Sequence, residues 1–218
     1  MTLHTLNSQN TVLNKFIAQI RDKSIQTDSM RFRRNLERIG EITAYEISKE
    51  LSYTPRVVET PLGEATVETI DDRIVVATIL RAGLPYHQGC LNYFDDAENA
   101  FVSAYRKSTK DGKFTVKVEY ISCGDLEDKV LLLVDPMLAT GSSLVLAYNA
   151  LCEKGGTPKY THVAAVIASE QGIDYVSKNM PRQATTIWAA AVDEELTSRS
   201  YIVPGIGDAG DLAYGEKI

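Results

Sequence analysis

Cysteine is scarce in this chain of 218 residues, and the three present, Cys90, Cys123 and Cys152, are widely spaced and form no CxxC pair. That argues against a disulfide framework and against a cysteine-bound zinc site, and the three are expected to be reduced thiols. Histidine is equally sparse: His4, His87 and His162 have no spacing that suits a metal or an activated nucleophile, so they read as structural. Positive charge is not in excess, with 23 Lys and Arg against 29 Asp and Glu and a net charge of −6. Such a balance speaks against a general nucleic-acid or membrane-surface binder, and any affinity for phosphate has to be local. The opening "MTLHTLNSQN" lacks the basic flank and apolar core of a secretory signal, and no apolar run is long enough to cross a bilayer. A cytoplasmic location, with no membrane and no nucleic acid as partner, is the expectation. Internal repeats and an interdomain linker are also missing, so residues 1–218 read as one domain.

What is present is an ordinary globular composition, 44% hydrophobic and 24% charged. Leu13, Phe16, Ile17 and Ile20 mark a short helix within Asn10 to Arg21. Phe32, Leu36, Ile39, Thr43, Ile47 and Leu51 mark a second, with Ser29 as its expected N-cap. Val57 to Thr60 and Ala65 to Ile70, separated by "PLGE", suggest a short hairpin at a sheet edge, where Pro61 is tolerated. "IVVATIL" (Ile74 to Leu80) is continuously apolar and rich in β-branched residues, as a strand buried on both faces should be. "AFVSAY", "VLLLVD" and "THVAAVIA" repeat that signature, with helical stretches near Leu84 to Tyr93, Ser143 to Glu153 and Glu170 to Lys178. Buried strands alternating with helices predict an α/β fold, a central mostly parallel sheet flanked by helices. From Lys107 to Lys129 the chain turns polar and then alternates, which predicts a flexible β-ribbon arm turning at "KDGK". Tyr201 to Gly215, "YIVPGIGDAGDLAYG", is a glycine-rich tail.

The segment "VLLLVDPMLATGSS" carries the chemistry. Asp135 is expected to close the strand and Pro136 to stop further pairing, while Ala139 to Ser143 are small enough to turn backbone N–H groups outward before a helix begins. Successive N–H groups at a helix N-terminus make an anion site suited to a monophosphate. Thr140, Ser142 and Ser143 add hydroxyl donors, and Asp135 can accept from sugar hydroxyls. A plain strand-to-helix turn with an N-cap serine fits the same residues. No GK[ST] follows, so this is not a nucleoside-triphosphate loop, nor is it a dinucleotide fingerprint. Arg81 follows an apolar strand and should leave at the same carboxyl edge as Asp135, where a pyrophosphate or a structural carboxylate would satisfy it.

"LLLVDPMLATGSS" resembles the phosphoribosyl pyrophosphate (PRPP) motif of type I phosphoribosyltransferases in the form that uracil phosphoribosyltransferases use, with Pro136 in place of a second acid. "ILRAGL" (Ile79 to Leu84), "AYR" (Ala104 to Arg106), the glycine-rich tail and the helix "RFRRNLERIGEITAYE" agree, so the resemblance covers nearly the whole chain. Two departures stand out: Ser142 where members commonly have glycine, and an arm after Arg106 without a close match. The resemblance implies a type I phosphoribosyltransferase fold with a β-ribbon arm at about 107–129 and a base-binding hood at about 201–215. It implies transfer of a phosphoribosyl group from PRPP to N1 of uracil, giving UMP and pyrophosphate. Arg81, Arg106 and Asp208 would be the catalytic residues. PRPP would be held by those three together with Asp135, Pro136, Met137, Leu138, Ala139, Thr140, Gly141, Ser142 and Ser143. Uracil would lie against Ile202, Gly207, Asp208 and Ala209. Mg²⁺ would come mainly on PRPP, without a protein metal site. Further partners expected are a second copy of the chain, in a homodimer or higher homo-oligomer, and GTP as an allosteric ligand. Two readings stay open beside it: a phosphoribosyltransferase for another nucleobase, and a pyrimidine-sensing RNA-binding regulator of the same fold.

Overall fold

The computed structural model describes residues 1–108 and 114–217, and the side chains of residues 104–117 lie outside that description. A seven-stranded sheet forms the centre. Its strands are β1 (Thr2–Thr5), β4 (Ile74–Leu80), β5 (Glu98–Ser108), β6 (Phe114–Ser122), β7 (Val130–Leu138), β8 (Tyr160–Ser169) and β9 (Thr185–Asp193), in the order β1-β9-β8-β7-β4-β5-β6. All neighbours run parallel except β5 and β6, so the expected mostly parallel sheet is found.

Its layers follow from strand alternation. In β7, Val130, Leu132 and Val134 face one core while Leu131 and Leu133 face the other; in β4, Val76 opposes Val75 and Ala77. Period-2 alternation with an apolar residue at every position is what makes these strands read as continuous runs. The first core is covered by α1 (Leu13–Arg21), α2 (Ser29–Ser48), α3 (Leu84–Leu91) and α6 (Ala209–Tyr214), and the second by α4 (Ser142–Gly155) and α5 (Glu170–Asn179). Tyr86 of α3 is fully buried, and its hydroxyl bonds Thr43 Oγ1 of α2 at 3.0 Å, which in turn donates to the Ile39 carbonyl at 2.8 Å. Leaving such a buried phenol unpaired costs about 1–3 kcal/mol, and the bond seats α3 beneath the turn that carries Arg81.

Several expectations are corrected. The cap of α2 is Asp28, whose carboxylate accepts from the Arg31 N–H at 3.0 Å, and Ser29 is the first helical residue; a charged acceptor is the stronger partner for the positive helix end. The hairpin is longer than expected, β2 (Tyr53–Thr60) with β3 (Gly63–Ile70), and it is a two-stranded sheet of its own rather than an edge of the main one. The ribbon expected after Arg106 is found as a continuation of the antiparallel edge pair: β6 pairs β5 from Phe101↔Ser122 to Ser108↔Phe114, while β5 pairs β4 only as far as Ser103. The "KDGK" turn with Lys110 and Lys113 falls outside the described residues. Asp135 and Pro136 do not end β7: pairing with β8 continues through Asp135↔Ala165, Met137↔Ile167 and Leu138↔Ala168. Proline is accommodated because β4 pairs β7 only as far as Val134, so beyond that point β7 has a single neighbour and one unused edge. The glycine-rich tail contains β11 (Ile202–Val203), paired with β10 (Glu195–Leu196), and α6.

Candidate active site

The carboxyl ends of β4 and β7 lie side by side, and the turns that leave them make the floor of a cavity of about 630 Å³. Arg81, Asp135, Met137, Leu138, Ala139, Thr140, Gly141 and Ser143 line it from below, and Gly207, Asp208 and Ala209 from the tail. These residues come from three segments far apart in the chain. A cleft outside the carboxyl ends of strands is where ligands of open α/β sheets sit.

The loop between β7 and α4 gets its shape from one glycine. Gly141, at φ +76°, is the N-cap of α4, and a Cβ there would stand 2.8 Å from the Gly172 carbonyl. Gly172, in the first turn of α5, is equally close-packed, since a Cβ on it would meet the carbonyls of Ala139 and Leu138. Ser169 ties the two elements together: its Oγ donates to the Ala139 carbonyl at 2.5 Å and accepts from the Gly172 N–H at 2.9 Å. The loop is thus held from behind by backbone contacts. The first N–H groups of α4, a helix of 14 residues, have no partners within the helix. Their orientation and the helix dipole suit a phosphate monoanion or dianion. Thr140 Oγ1 and Ser142 Oγ share a hydrogen bond of 2.8 Å, and of the three hydroxyl residues Thr140 and Ser143 line the cavity while Ser142 does not. Pro136 is also absent from the lining.

Arg81 follows β4 across a cis Leu80–Arg81 peptide. Its Nη2 donates to the Gly215 carbonyl at 3.1 Å and lies 3.6 Å from Asp211 Oδ1, while its Nε is buried with no hydrogen-bond partner among the described residues. Of the five guanidinium N–H donors, one is thus spent on the tail and the buried Nε has no protein acceptor among the described residues. Arg106 sits in β5 opposite Val116, and its side chain lies outside the described residues.

The tail is docked by its ends. Asp208 is the N-cap of α6, its Oδ1 accepting from the Asp211 N–H at 3.0 Å. Arg33 of α2 donates to the Ala213 carbonyl at 2.6 Å and lies over the Tyr214 ring. Ile202, expected beside the base, is 3% exposed and faces the core instead, because alternation in β11 turns it inward. Sequence reasoning missed Ile79, Leu80, Ala82, Leu144, Arg199, Ser200 and Lys217, which also line the cavity, and took Tyr201 and Gly210 only as part of the hood. Arg199 and Lys217 are basic residues flanking the glycine-rich tail at either end, a signal that was there to be read. Cations at Arg81, Arg199 and Lys217 around an N–H-rich loop make a local site for an anion on a chain of net negative charge.

Residues 7–216 match the sequence profile of the family described as Uracil phosphoribosyltransferase. Over 213 residues, 98% of each chain, the sequence is 57% identical to a uracil phosphoribosyltransferase of Porphyromonas gingivalis. It is 40% identical over 208 residues to one of Methanothermobacter thermautotrophicus, covering 94% of this chain and 93% of that one. Among solved structures it is similar to the AQ2163 protein from Aquifex aeolicus, with a TM-score of 0.86, 25% identity and 98% of each chain covered.

Proposed function

The chain belongs to the uracil phosphoribosyltransferase family, and from that premise we propose how its cavity brings about the family's reaction, uracil plus PRPP giving UMP plus pyrophosphate. The observation that carries the reading is the meeting of Arg81, the Asp135–Ser143 loop and Gly207–Ala209 around one cavity.

In this reading the 5′-phosphate of PRPP lies at the N-terminus of α4, where backbone N–H groups and the Thr140 and Ser143 hydroxyls donate to it. Asp135 accepts from the ribose hydroxyls. Arg81 and Arg106 take the pyrophosphate, and Asp208 faces PRPP beside the base. As the bond to pyrophosphate lengthens, the anomeric carbon becomes cationic and the leaving oxygens gain negative charge. Arginine donors already in place stabilise that charge without reorganisation. Positioning N1 of uracil near the anomeric carbon supplies the rest, so no covalent intermediate is needed. Arg199, Tyr201 and Lys217 at the rim reduce access of water, whose attack on PRPP is the competing reaction.

Among the described residues no group of three or more His, Cys, Asp or Glu side chains is placed to hold a metal, and the carboxylates lining the cavity are Asp135 and Asp208. So sparse a set fits Mg²⁺, which is usually held by one or two carboxylates plus substrate phosphates. When bound with PRPP, Mg²⁺ neutralises charge on the departing pyrophosphate.

Uracil offers an imide edge, an N–H between two carbonyls, and the backbone of Gly207 to Ala209 is the surface that reads it. Cytosine reverses donor and acceptor at two positions, leaving groups unpaired at about 1–3 kcal/mol each. Discrimination on the order of 10⁴ in kcat/KM is expected. Nucleotide formation from PRPP and Mg²⁺ with a panel of bases tests this: uracil and 5-fluorouracil should react, and a cytosine rate within tenfold of uracil defeats the backbone-edge reading.

The same proposal includes a homodimer or higher homo-oligomer in the cytoplasm and GTP as an allosteric ligand. Support for self-association comes from the β2–β3 hairpin, which pairs with no other strand and leaves Val57, Leu62 and Val67 exposed. A lone two-stranded ribbon is marginal in water. Light scattering on the purified chain decides the oligomeric state, and GTP titrated into the assay at subsaturating PRPP decides the regulation.

A further inference from the structure

Asp193 ends β9 with its side chain 7% exposed, and both its oxygens are occupied by the fork of Arg21, at 2.8 Å each. This pair joins the last turn of α1 to the sheet across 172 residues. It does more than join them. Asp193 Oδ2 also accepts from the Gly205 N–H at 2.9 Å, and Arg21 Nη1 also donates to the Gly205 carbonyl at 3.0 Å. Both backbone groups of one tail residue are thus held by the two partners of one ion pair. Gly205 adopts φ +55°, and a Cβ there would run into the Ile202 carbonyl, so no other residue fits the clamp. Gln26 adds a weaker hold on the next residue, donating to Ile20 O at 2.8 Å and standing 3.4 Å from Ile206 O.

The need for such a clamp lies two residues downstream. Gly207 has φ +81°, and a Cβ on it would meet nothing within 4 Å. Without steric restraint of its own, the Ile206–Gly207 peptide can turn over at low cost, exchanging an outward N–H for an outward carbonyl. A surface that reads a pyrimidine edge by backbone polarity loses its meaning if one peptide flips. On the upstream side, restraint comes from Gly205, with the weaker contact of Gln26 to the Ile206 carbonyl beside it.

We propose that Arg21 and Asp193 are positioning residues for base specificity: by gripping Gly205 on both sides they fix the peptide orientation of the Gly207–Ala209 segment. The proposal rests on the reading that this segment faces the base. Charge-assisted, bidentate bonds are the kind that hold one geometry, and the pair reaches the base only through the backbone it holds.

Steady-state kinetics on Arg21→Lys, Asp193→Asn and the double variant test it, with uracil and cytosine as varied substrates and PRPP varied separately. Loss of the planar fork or of the charge should raise the KM for uracil and narrow the uracil-over-cytosine ratio by about tenfold or more, the worth of one mismatched group. The KM for PRPP should rise by less than the KM for uracil, since the phosphate loop is held independently by Ser169 and Gly172 and, of the proposed PRPP contacts, Asp208 alone lies in the clamped segment. The double variant should be no worse than the poorer single one, because the two act as a unit. Folded variants that keep wild-type discrimination and KM for uracil, or that lose kcat with both KM values unchanged, overturn the proposal. Should Asp193→Asn not fold, Arg21→Lys, which keeps the charge, decides alone. A wild-type enzyme without preference for uracil would instead sink the reading of the base site.

Discussion

Arg81 reaches from the end of β4 to the last residues of the tail, its Nη2 donating to the Gly215 carbonyl at 3.1 Å and lying 3.6 Å from Asp211 Oδ1. The cation proposed for pyrophosphate is thus in contact with acceptors of the hood. A pyrophosphate bearing several charges is a stronger acceptor than one carbonyl and a carboxylate in water-exposed contact. On the proposed reading, PRPP would take over these contacts and release the hood's acceptors.

Arg81→Ala should lower kcat/KM by about thirtyfold or more, corresponding to about 2 kcal/mol of lost transition-state stabilisation once the contact is desolvated. Arg81→Lys should recover only part of it, because a single ammonium cannot reproduce the fork. Stability should move by less than about 1 kcal/mol, since the Asp211 contact is long and exposed. Near-normal kcat/KM in both variants would return Arg81 to a structural role.

Asp135→Asn keeps the shape of a side chain that lines the cavity and keeps the backbone pairing with Ala165. Neutralising an acceptor of sugar hydroxyls should remove about 1–3 kcal/mol, a fall of about five- to 150-fold in turnover. Thermal melts and steady-state rates measured together settle it: wild-type activity rejects the ligand assignment, and a collapse in melting temperature moves Asp135 into the scaffold.

Gly172→Ala places a methyl group against the Ala139 and Leu138 carbonyls, the latter 2.6 Å away. Overpacking of this kind costs about 1–3 kcal/mol, and relief requires the phosphate loop to shift. The KM for PRPP should rise while the KM for uracil changes little. An alanine variant with wild-type stability and wild-type PRPP affinity would show that the loop is not braced by α5.

His162 is 2% exposed, and its Nδ1 accepts from Trp188 Nε1 at 3.0 Å, which puts the proton of the neutral ring on Nε2. Burial pushes its pKa down to about 4; Asp72 nearby opposes the shift and His4 adds to it. An unfolded histidine titrates near 6.5, so between about pH 6.5 and 4 the unfolded chain takes up a proton that the native one refuses. Stability contributed by this group is full above pH 6.5 and falls with decreasing pH through that window, by on the order of 3 kcal/mol in all. His87, lowered by its own burial, contributes with the same sign. Urea unfolding of wild type and His162→Gln at pH 7, 5.5 and 4.5 isolates the difference, and parallel pH dependences would show that His162 does not carry it.

Strands β4, β7 and β8 were legible because each contains a run of apolar residues rich in valine, leucine and isoleucine. By contrast β9, "TTIWAAAVD", was missed: its alanines carry no strand preference, and only the packing of both cores makes Ala189, Ala190 and Ala191 buried strand residues. β1 has four residues and no periodicity to detect. At the site, the phosphate loop could be read because one continuous segment supplies it. Arg199 and Lys217 were visible as basic residues flanking the tail, but only the folded tail shows that they line the cavity. That the side chain of Ile202 packs into the core could not be read either, because a glycine-rich segment offers no pattern from which to tell inside from outside. Nothing local links Arg21 to Asp193.

The clamp on Gly205 also imposes an order on synthesis. Arg21 leaves the ribosome early and the phosphate loop at mid-length, but Asp193 and Gly205 come near the end of translation. A nascent chain interrupted before Ile202 already carries the loop proposed to receive phosphate and lacks the segment proposed to face the base. On that reading, the last residues to be made are the ones that decide which acceptor reacts.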